Sequence, residues 1–249
     1  MTQLSAGPAN PALLGPRVEA LSARVLGVVR SPRATLTAVA AAPRWMGVLV
    51  LTFLVSTLSG AALQQTETGR LALVDQWERT AAAFGQNVDD QQYAALEEAS
   101  RNGPAYAALS AFVSGPLLTF GLAALLFAVF NGSLGGAATY RQLLAITAHA
   151  GVILALRQVV AAPVNYSRET LASPMTMTFF FSMLDEASPI ARFFGIIDLF
   201  VVWWLTVLAI GLSALYRRPA RPLLAGLLSA YIVLALLLVI AMAVTGGRV

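Results

Sequence analysis

Five apolar stretches, each about the length needed to cross a bilayer, punctuate this chain and confine it to one kind of fold. A transmembrane helix takes about 20 mostly apolar residues to cross a hydrocarbon core of about 30 Å. Stretches near 45–64, 105–130, 142–162, 193–216 and 222–244 meet that requirement. The expected fold class is therefore all-α: a polytopic membrane protein built as a bundle of five transmembrane helices. Residues 1–44 form a cytoplasmic amphipathic N-terminal segment, and 45–249 form the five-helix transmembrane domain with an outer loop at 65–104.

Punctuation supports these bounds. Pro43-Arg44-Trp45 opens the first span, where proline suits a helix start and tryptophan the headgroup level. Asn102-Gly103-Pro104 breaks the chain before the second span, and Arg217-Arg218-Pro219-Ala220-Arg221-Pro222 makes a tight basic turn between the fourth and fifth. Residues 1–16 hold no arginine and three prolines, so no cleavable signal peptide is expected. Charged residues are 11% of the chain and hydrophobic residues 58%, whereas a soluble domain carries about 25% charged residues. The absence of cysteine excludes disulfides, thiolate metal sites and cysteine nucleophiles. All 16 basic residues are arginine, which together with the abundant Ala and Leu reads as GC-rich bacterial coding.

The charges between spans alternate in sign and set the orientation. One side holds Arg17, Arg24, Arg30, Arg33, Arg44, Arg141, Arg217, Arg218 and Arg221, with Glu19 as its acid. The other holds Arg70, Arg79, Arg101, Arg168, Arg192 and Arg248 among ten acids: Glu67, Asp75, Glu78, Asp89, Asp90, Glu97, Glu98, Glu169, Asp185 and Glu186. The N-terminus is expected in the cytoplasm and the C-terminus outside. This sidedness accounts for the net charge of +4 without a nucleic-acid partner.

Leu14, Val18, Leu21, Val25 and Val28 share one helical face, with Arg17 and Arg24 off it. A basic amphipathic helix next to a span is expected to lie in the interface with its arginines toward anionic headgroups; docking to a cytoplasmic partner is the other reading. Arg17, Arg24, Arg30, Arg33, Arg217, Arg218 and Arg221 make up this candidate lipid-facing basic surface. Ser31-Pro32 reads as an N-cap and first-turn proline of a second short helix to about Ala42. Outside, Leu73, Trp77 and Phe84 mark one amphipathic helix, and Asp89-Asp90 can cap a second carrying Tyr93 and Leu96. A helical hairpin over the outer mouth is expected. Thr178-Phe179-Phe180-Phe181 is too short to span and reads as a re-entrant or interfacial piece.

Polar residues inside spans are the candidates for function. Arg157 and Asp198 each lie about five residues inside the outer ends of adjacent antiparallel spans, roughly 8 Å below the same surface. Opposite charge at equal depth points to a buried ion pair, either a clamp that fixes helix register or part of a proton or substrate relay. His149 completes this candidate polar cluster, roughly 10 Å from the inner surface. It is the sole histidine and has no carboxylate or cysteine at ligand spacing, so no metal site is expected. Trp203-Trp204 read as core packing, and Ala209/Ser213 and Gly226/Ala230 have the small-x-x-x-small spacing that lets helices approach closely. Glu97-Glu98-Ala99-Ser100-Arg101 is one residue short of an intramembrane protease motif and lies in a loop, and no phosphate loop occurs. No catalytic set and no cofactor are expected.

Val28-Val29-Arg30-Ser31-Pro32-Arg33-Ala34-Thr35-Leu36 runs through Ala42-Pro43-Arg44-Trp45 into the first span. Phe130-Asn131-Gly132 follows the second, Thr139-Tyr140-Arg141-Gln142-Leu143-Leu144 enters the third, and the fourth bears tryptophans. Over about residues 20–245 this arrangement resembles the Yip-domain family, named for interaction with Ypt/Rab GTPases. The resemblance implies five membrane helices and a cytoplasmic N-terminus. Eukaryotic members act in vesicle traffic, bind prenylated Rab GTPases and associate with each other. The chain lacks the Asp-Leu-Tyr-Gly-Pro stretch of those members, so Rab binding is not carried over. The expected role is a non-enzymatic scaffold in a bacterial inner membrane, associating with itself or other membrane proteins. A small transporter or channel using Arg157 and Asp198 is the alternative.

Overall fold

A computed structural model describes residues 20–181, 183 and 188–246. Helices α1 (Leu21–Arg30) and α2 (Pro32–Ala41) lead into α3 (Met46–Gln64), and α4 (Glu67–Ala83) and α5 (Asp90–Ser100) form the hairpin. Helix α6 (Gly103–Phe127) runs on into a π-helical turn, Ala128–Ser133. Helices α7 (Tyr140–Ala150) and α8 (Val152–Arg168) follow, then a 3-10 turn (Met177–Phe181), α9 (Pro189–Ile196), α10 (Leu199–Tyr216) and α11 (Ala220–Gly246). Five helical segments are long and apolar enough to cross a membrane: Met46–Gln64, Gly103–Ser133, Tyr140–Arg168, Leu199–Tyr216 and Ala220–Thr245.

Local signals explain most ends. Pro32 occupies the first turn of α2, where its missing N–H costs nothing. Ser31 precedes it as expected but makes no side-chain cap bond. Asp89 and Gln92 close a capping box on α5, and Thr139 and Gln142 close another on α7. In the hairpin Trp77 meets Tyr106 of α6 edge-on, with ring centroids 5.9 Å apart. Glu98 and Arg101 form an exposed pair at 3.0 Å, as ordinary surface charges do.

The third span is the hub. In its most apolar stretch 61% of residues are buried, against 11% for the second and fifth, which stand at the periphery. Gly211 of α10 approaches it most closely: a Cβ there would stand 2.5 Å from Ile146 Cγ2, so only glycine lets α10 settle onto α7. Val28 and Leu36 belong to the same core as Ile146, Ile153 and Leu208. Helices α1 and α2 are therefore folded against the bundle. Leu21 and Val25 pack on that core, while Leu14, Val18 and Arg17 lie outside the described residues, as do Glu19, Asp185, Glu186 and Arg248.

The predicted fourth span, 193–216, is interrupted. Ile197 (φ −75°, ψ 103°) and Asp198 (φ −108°, ψ 129°) are extended, so α9 stops at Ile196 and α10 starts at Leu199. The segment with the phenylalanines is a single 3-10 turn, and Phe181 stacks on Phe194 of α9 at 4.9 Å.

Candidate functional site

Asp198 does not lie within a helix, as its place in the apolar run suggests. It is the N-cap of α10. The first N–H groups of a helix have no internal partner, and a carboxylate answers them while complementing the helix dipole. Asp198 Oδ1 accepts from the backbone N–H of Phe200 at 2.8 Å and of Val201 at 3.4 Å. Its Oδ2 accepts from Arg157 Nε at 2.8 Å and from the Ser173 hydroxyl. The backbone N–H of Asp198 donates to the Tyr231 hydroxyl at 3.2 Å, and that hydroxyl donates to the Ile196 carbonyl.

The chain before α10 is pinned as well. Leu199 N–H donates to the Met175 carbonyl at 3.0 Å and Met177 N–H to the Ile197 carbonyl at 2.9 Å. One nearly sealed residue, Asp198 at 3% exposed, thus ties together α8, the 169–176 segment and α10 through its carboxylate and α11 through its backbone N–H. A buried carboxylate is tolerable when paired and fully hydrogen-bonded, and four donors meet that condition here. Ser173 and Tyr231 carry no signal in sequence that marks them as its partners.

His149 does not join this cluster. It is completely buried at the other end of the bundle, where Arg24 Nη1 lies 3.2 Å from its Nε2. Arginine can only donate, so Nε2 accepts and Nδ1 carries the proton, which it gives to the Ala145 carbonyl at 2.7 Å. Arg24 Nη1 also donates to the Arg44 carbonyl at 2.9 Å. Arg24 therefore leaves the expected lipid-facing set: the folding of α1 against the bundle turns its guanidinium toward His149. Arg30, Arg33, Arg217, Arg218 and Arg221 are exposed, together with Arg44 and Arg141.

The residues of the Phe130-Asn131-Gly132 and Thr139-to-Leu144 stretches interlock beside these arginines. Phe130 stacks on Tyr216 at 4.8 Å, and the Tyr216 hydroxyl donates to Asn131 Oδ1 at 2.9 Å. Asn131 Nδ2 donates to the Ala138 carbonyl, and Gln142 Nε2 reaches the Ala40 carbonyl of α2 at 3.0 Å. These short motifs join the ends of α2, α6, α7 and α10.

Toward the hairpin end lies a feature invisible in the sequence, a cavity of about 740 Å³ between α3, α6 and α8. Thr52, Ser56, Ser59 and Gln64 face it from α3, Ser110 and Ser114 from α6, and Arg157, Gln158 and Asn165 from α8. Gln64 Oε1 and Asn165 Oδ1 are buried without a hydrogen-bond partner among the described residues. Arg157 spends Nε on Asp198, and its two Nη groups make no hydrogen bond among the described residues. The guanidinium thus has one edge in the Asp198 cluster and stands in the wall of the cavity.

Comparison with curated proteins gives no match, and comparison with solved structures gives none either. A family model described as the Yip1 domain matches residues 26–242, from inside α1 to near the end of α11. With five apolar helices and a match of that extent, the chain is an integral membrane protein and belongs to the Yip1-domain family.

Proposed function

We propose that the protein is a non-enzymatic organiser in a bacterial inner membrane, associating with copies of itself or with other membrane-spanning proteins. The observation that carries this reading is one face of α11. Gly226 and Ala230 are both exposed, and nothing lies within 4 Å of where a Cβ on Gly226 would stand. Val233 and Leu237 continue the same face, also exposed. The other small pair differs, because Ala209 is buried inside the bundle. In lipid no hydrophobic force draws helices together, and close approach of small residues takes its place. A small-residue face unused within the chain supports a contact with another chain. The exposed arginines support a cytoplasmic placement of their end, each contributing about 1 kcal/mol on anionic lipid, with the C-terminus outside.

The cysteine-free chain makes the test clean. Ala230→Cys should form disulfide-linked dimers on mild oxidation in native membranes, and Ile232→Cys, on the opposite side of α11, should not. Adding Gly226→Leu to Ala230→Cys should abolish the dimer. Equal cross-linking at both positions, or at neither with no co-purifying membrane protein in native mass spectrometry, would end this reading.

A transport role is the second reading, favoured by Arg157 standing in the wall of a cavity between helices. The contact between α6 and α7 closes that cavity toward the arginine-rich end, so transport requires those helices to part. Locking α6 to α7 with an engineered disulfide would stop a transporter and leave an organiser working.

A further inference from the structure

We propose that the pocket between the 134–138 turn and the end of α10 is a phosphate site, held by Arg217 and Arg218 and filled by the headgroup of one anionic lipid. The proposal goes beyond the organiser reading. It rests only on this end lying at a membrane surface, so the α11 cross-linking test and the one below can fail separately.

Place comes first. The second span ends at Ser133 and the third begins at Tyr140, while the fourth ends at Tyr216 and the fifth begins at Ala220. A pocket of about 370 Å³ lies where these ends meet, walled by Phe130, Leu134 and Leu215 together with Arg217 and Arg218. The ends of spans lie at the boundary between hydrocarbon and headgroups. A recess with apolar and cationic walls at that depth suits a molecule whose phosphate adjoins an acyl chain. Leu134 is exposed there, and a soluble phosphate ester has nothing to set against it.

The turn is held in shape by its neighbours. Gly136 lies so close to the Tyr216 ring that a Cβ would stand 2.5 Å from Cε1. Its N–H donates to the Phe130 carbonyl at 2.8 Å, and the Leu134 N–H donates to the Val129 carbonyl at 3.2 Å. The N–H groups of Gly135, Ala137 and Ala138 have no acceptor among the described residues, and all three residues line the pocket.

Charge carries the argument further. Arg217 and Arg218 are exposed and make no ion pair among the described residues. Arg218 Nη2 makes only a 3.5 Å contact with the Leu134 carbonyl, which sets its guanidinium at the rim of the pocket. The described acids stand elsewhere, on the hairpin or at Glu169 and Asp198, beyond the far ends of α8 and α10. Guanidinium forks beside one recess, with no carboxylate to neutralise them, match the several acceptor oxygens of a phosphate. The backbone points the same way. Arg217 ends α10 in the left-handed region (φ 53°, ψ 37°), where helices favour glycine because it has no Cβ to clash. An arginine there costs stability, and such strain is kept where the residue serves a site.

The test is native mass spectrometry of the full chain in mild detergent, titrated with dioleoyl phosphatidylglycerol, dioleoyl phosphatidylcholine and glycerol 3-phosphate. One phosphatidylglycerol should be held per chain about tenfold more tightly than phosphatidylcholine, whose trimethylammonium group brings like charge to the arginines. Arg218→Gln should weaken phosphatidylglycerol by about tenfold, the loss of one charge-assisted hydrogen bond. Arg217→Gly should weaken it similarly and also raise the unfolding midpoint in lipid-free detergent, because glycine relieves the left-handed turn. A fold defect cannot produce those opposite signs. Arg30→Gln with Arg33→Gln removes two charges outside the pocket and should change retention by no more than about twofold. Equal retention of the two lipids overturns the proposal. So does a loss from the Arg30/Arg33 pair as large as that from Arg217 and Arg218, which would assign the effect to the basic surface at large. Glycerol 3-phosphate bound as tightly as phosphatidylglycerol would make this a site for soluble phosphate esters and refute the lipid assignment. Unchanged affinity in both Arg217→Gly and Arg218→Gln would place the lipid elsewhere and refute it too.

Discussion

Arg157 stands between two polar regions that differ in how completely their atoms are answered. On its Nε side, Asp198 has both carboxylate oxygens doubly engaged, its own N–H bonded to Tyr231 and its carbonyl bonded to Val202 N–H at 3.0 Å. On its Nη side, Gln64 and Asn165 border the groove between α3, α6 and α8 with buried acceptors that find no donor among the described residues. The same energetic rule governs both. A buried polar group adds little net stability when paired and costs much when unpaired. Saturation marks Asp198 as a structural knot, because a carboxylate with four donors has no free site for a relayed proton or a solute. Incomplete pairing marks Gln64 and Asn165 as side chains whose buried acceptors add nothing to the stability of the fold.

Removing the knot should have the largest effect of any change in this region. Asp198→Ala leaves Arg157 without its counter-charge and α10 without its cap, and should cost about 3–5 kcal/mol. Thermal unfolding in detergent, followed by circular dichroism, measures the loss. Adding Arg157→Met to Asp198→Leu should recover most of it, since a buried pair can be exchanged for apolar side chains. A residue of about 1 kcal/mol should remain for the missing cap. Full recovery would mean that the capping bonds contribute nothing. No recovery would mean that the loss does not arise from the unpaired guanidinium.

Tyr231 tests the knot from the far side. Its hydroxyl both receives the Asp198 N–H and donates to Ile196, so Tyr231→Phe orphans two backbone groups at the break between α9 and α10. A loss of about 1 kcal/mol is expected, seen as a lowered midpoint without change in helix content. An unchanged midpoint would show that water reaches this end of α10 and that the knot is wetter than its burial implies.

The two regions also differ in how far the sequence announces them. The five spans are legible because length and apolarity are properties of a contiguous run, and the capping boxes at Asp89 and Thr139 because their partners lie three residues away. The pairing of Arg157 with Asp198 is legible from their matching places in adjacent apolar runs. The break at Ile197 is not: Phe193 to Leu199 is as apolar extended as helical, and the choice is made by donors and acceptors at Met175 and Tyr231. The grouping of His149 with Arg157 fails because the two stand eight residues apart (149 to 157), about 12 Å along the third span. Arg24, 125 residues away in sequence, meets His149 only once α1 folds back. The groove is the extreme case. It is a space between three helices, and no periodicity in any one of them records that α6 and α8 stand apart.

That space supplies the smallest stability effect and the sharpest contrast with Asp198. Asn165→Leu removes an acceptor that has no donor among the described residues and replaces it with an apolar group of similar size. Unfolding in lipid-free detergent should shift by no more than about 0.5 kcal/mol, and the shift should be toward greater stability. Gln64→Leu should behave alike, and the two should add, since they sit on different helices and share no bonded partner. A marked loss from Asn165→Leu in the absence of lipid would show that Asn165 serves the fold, and would remove the contrast with Asp198.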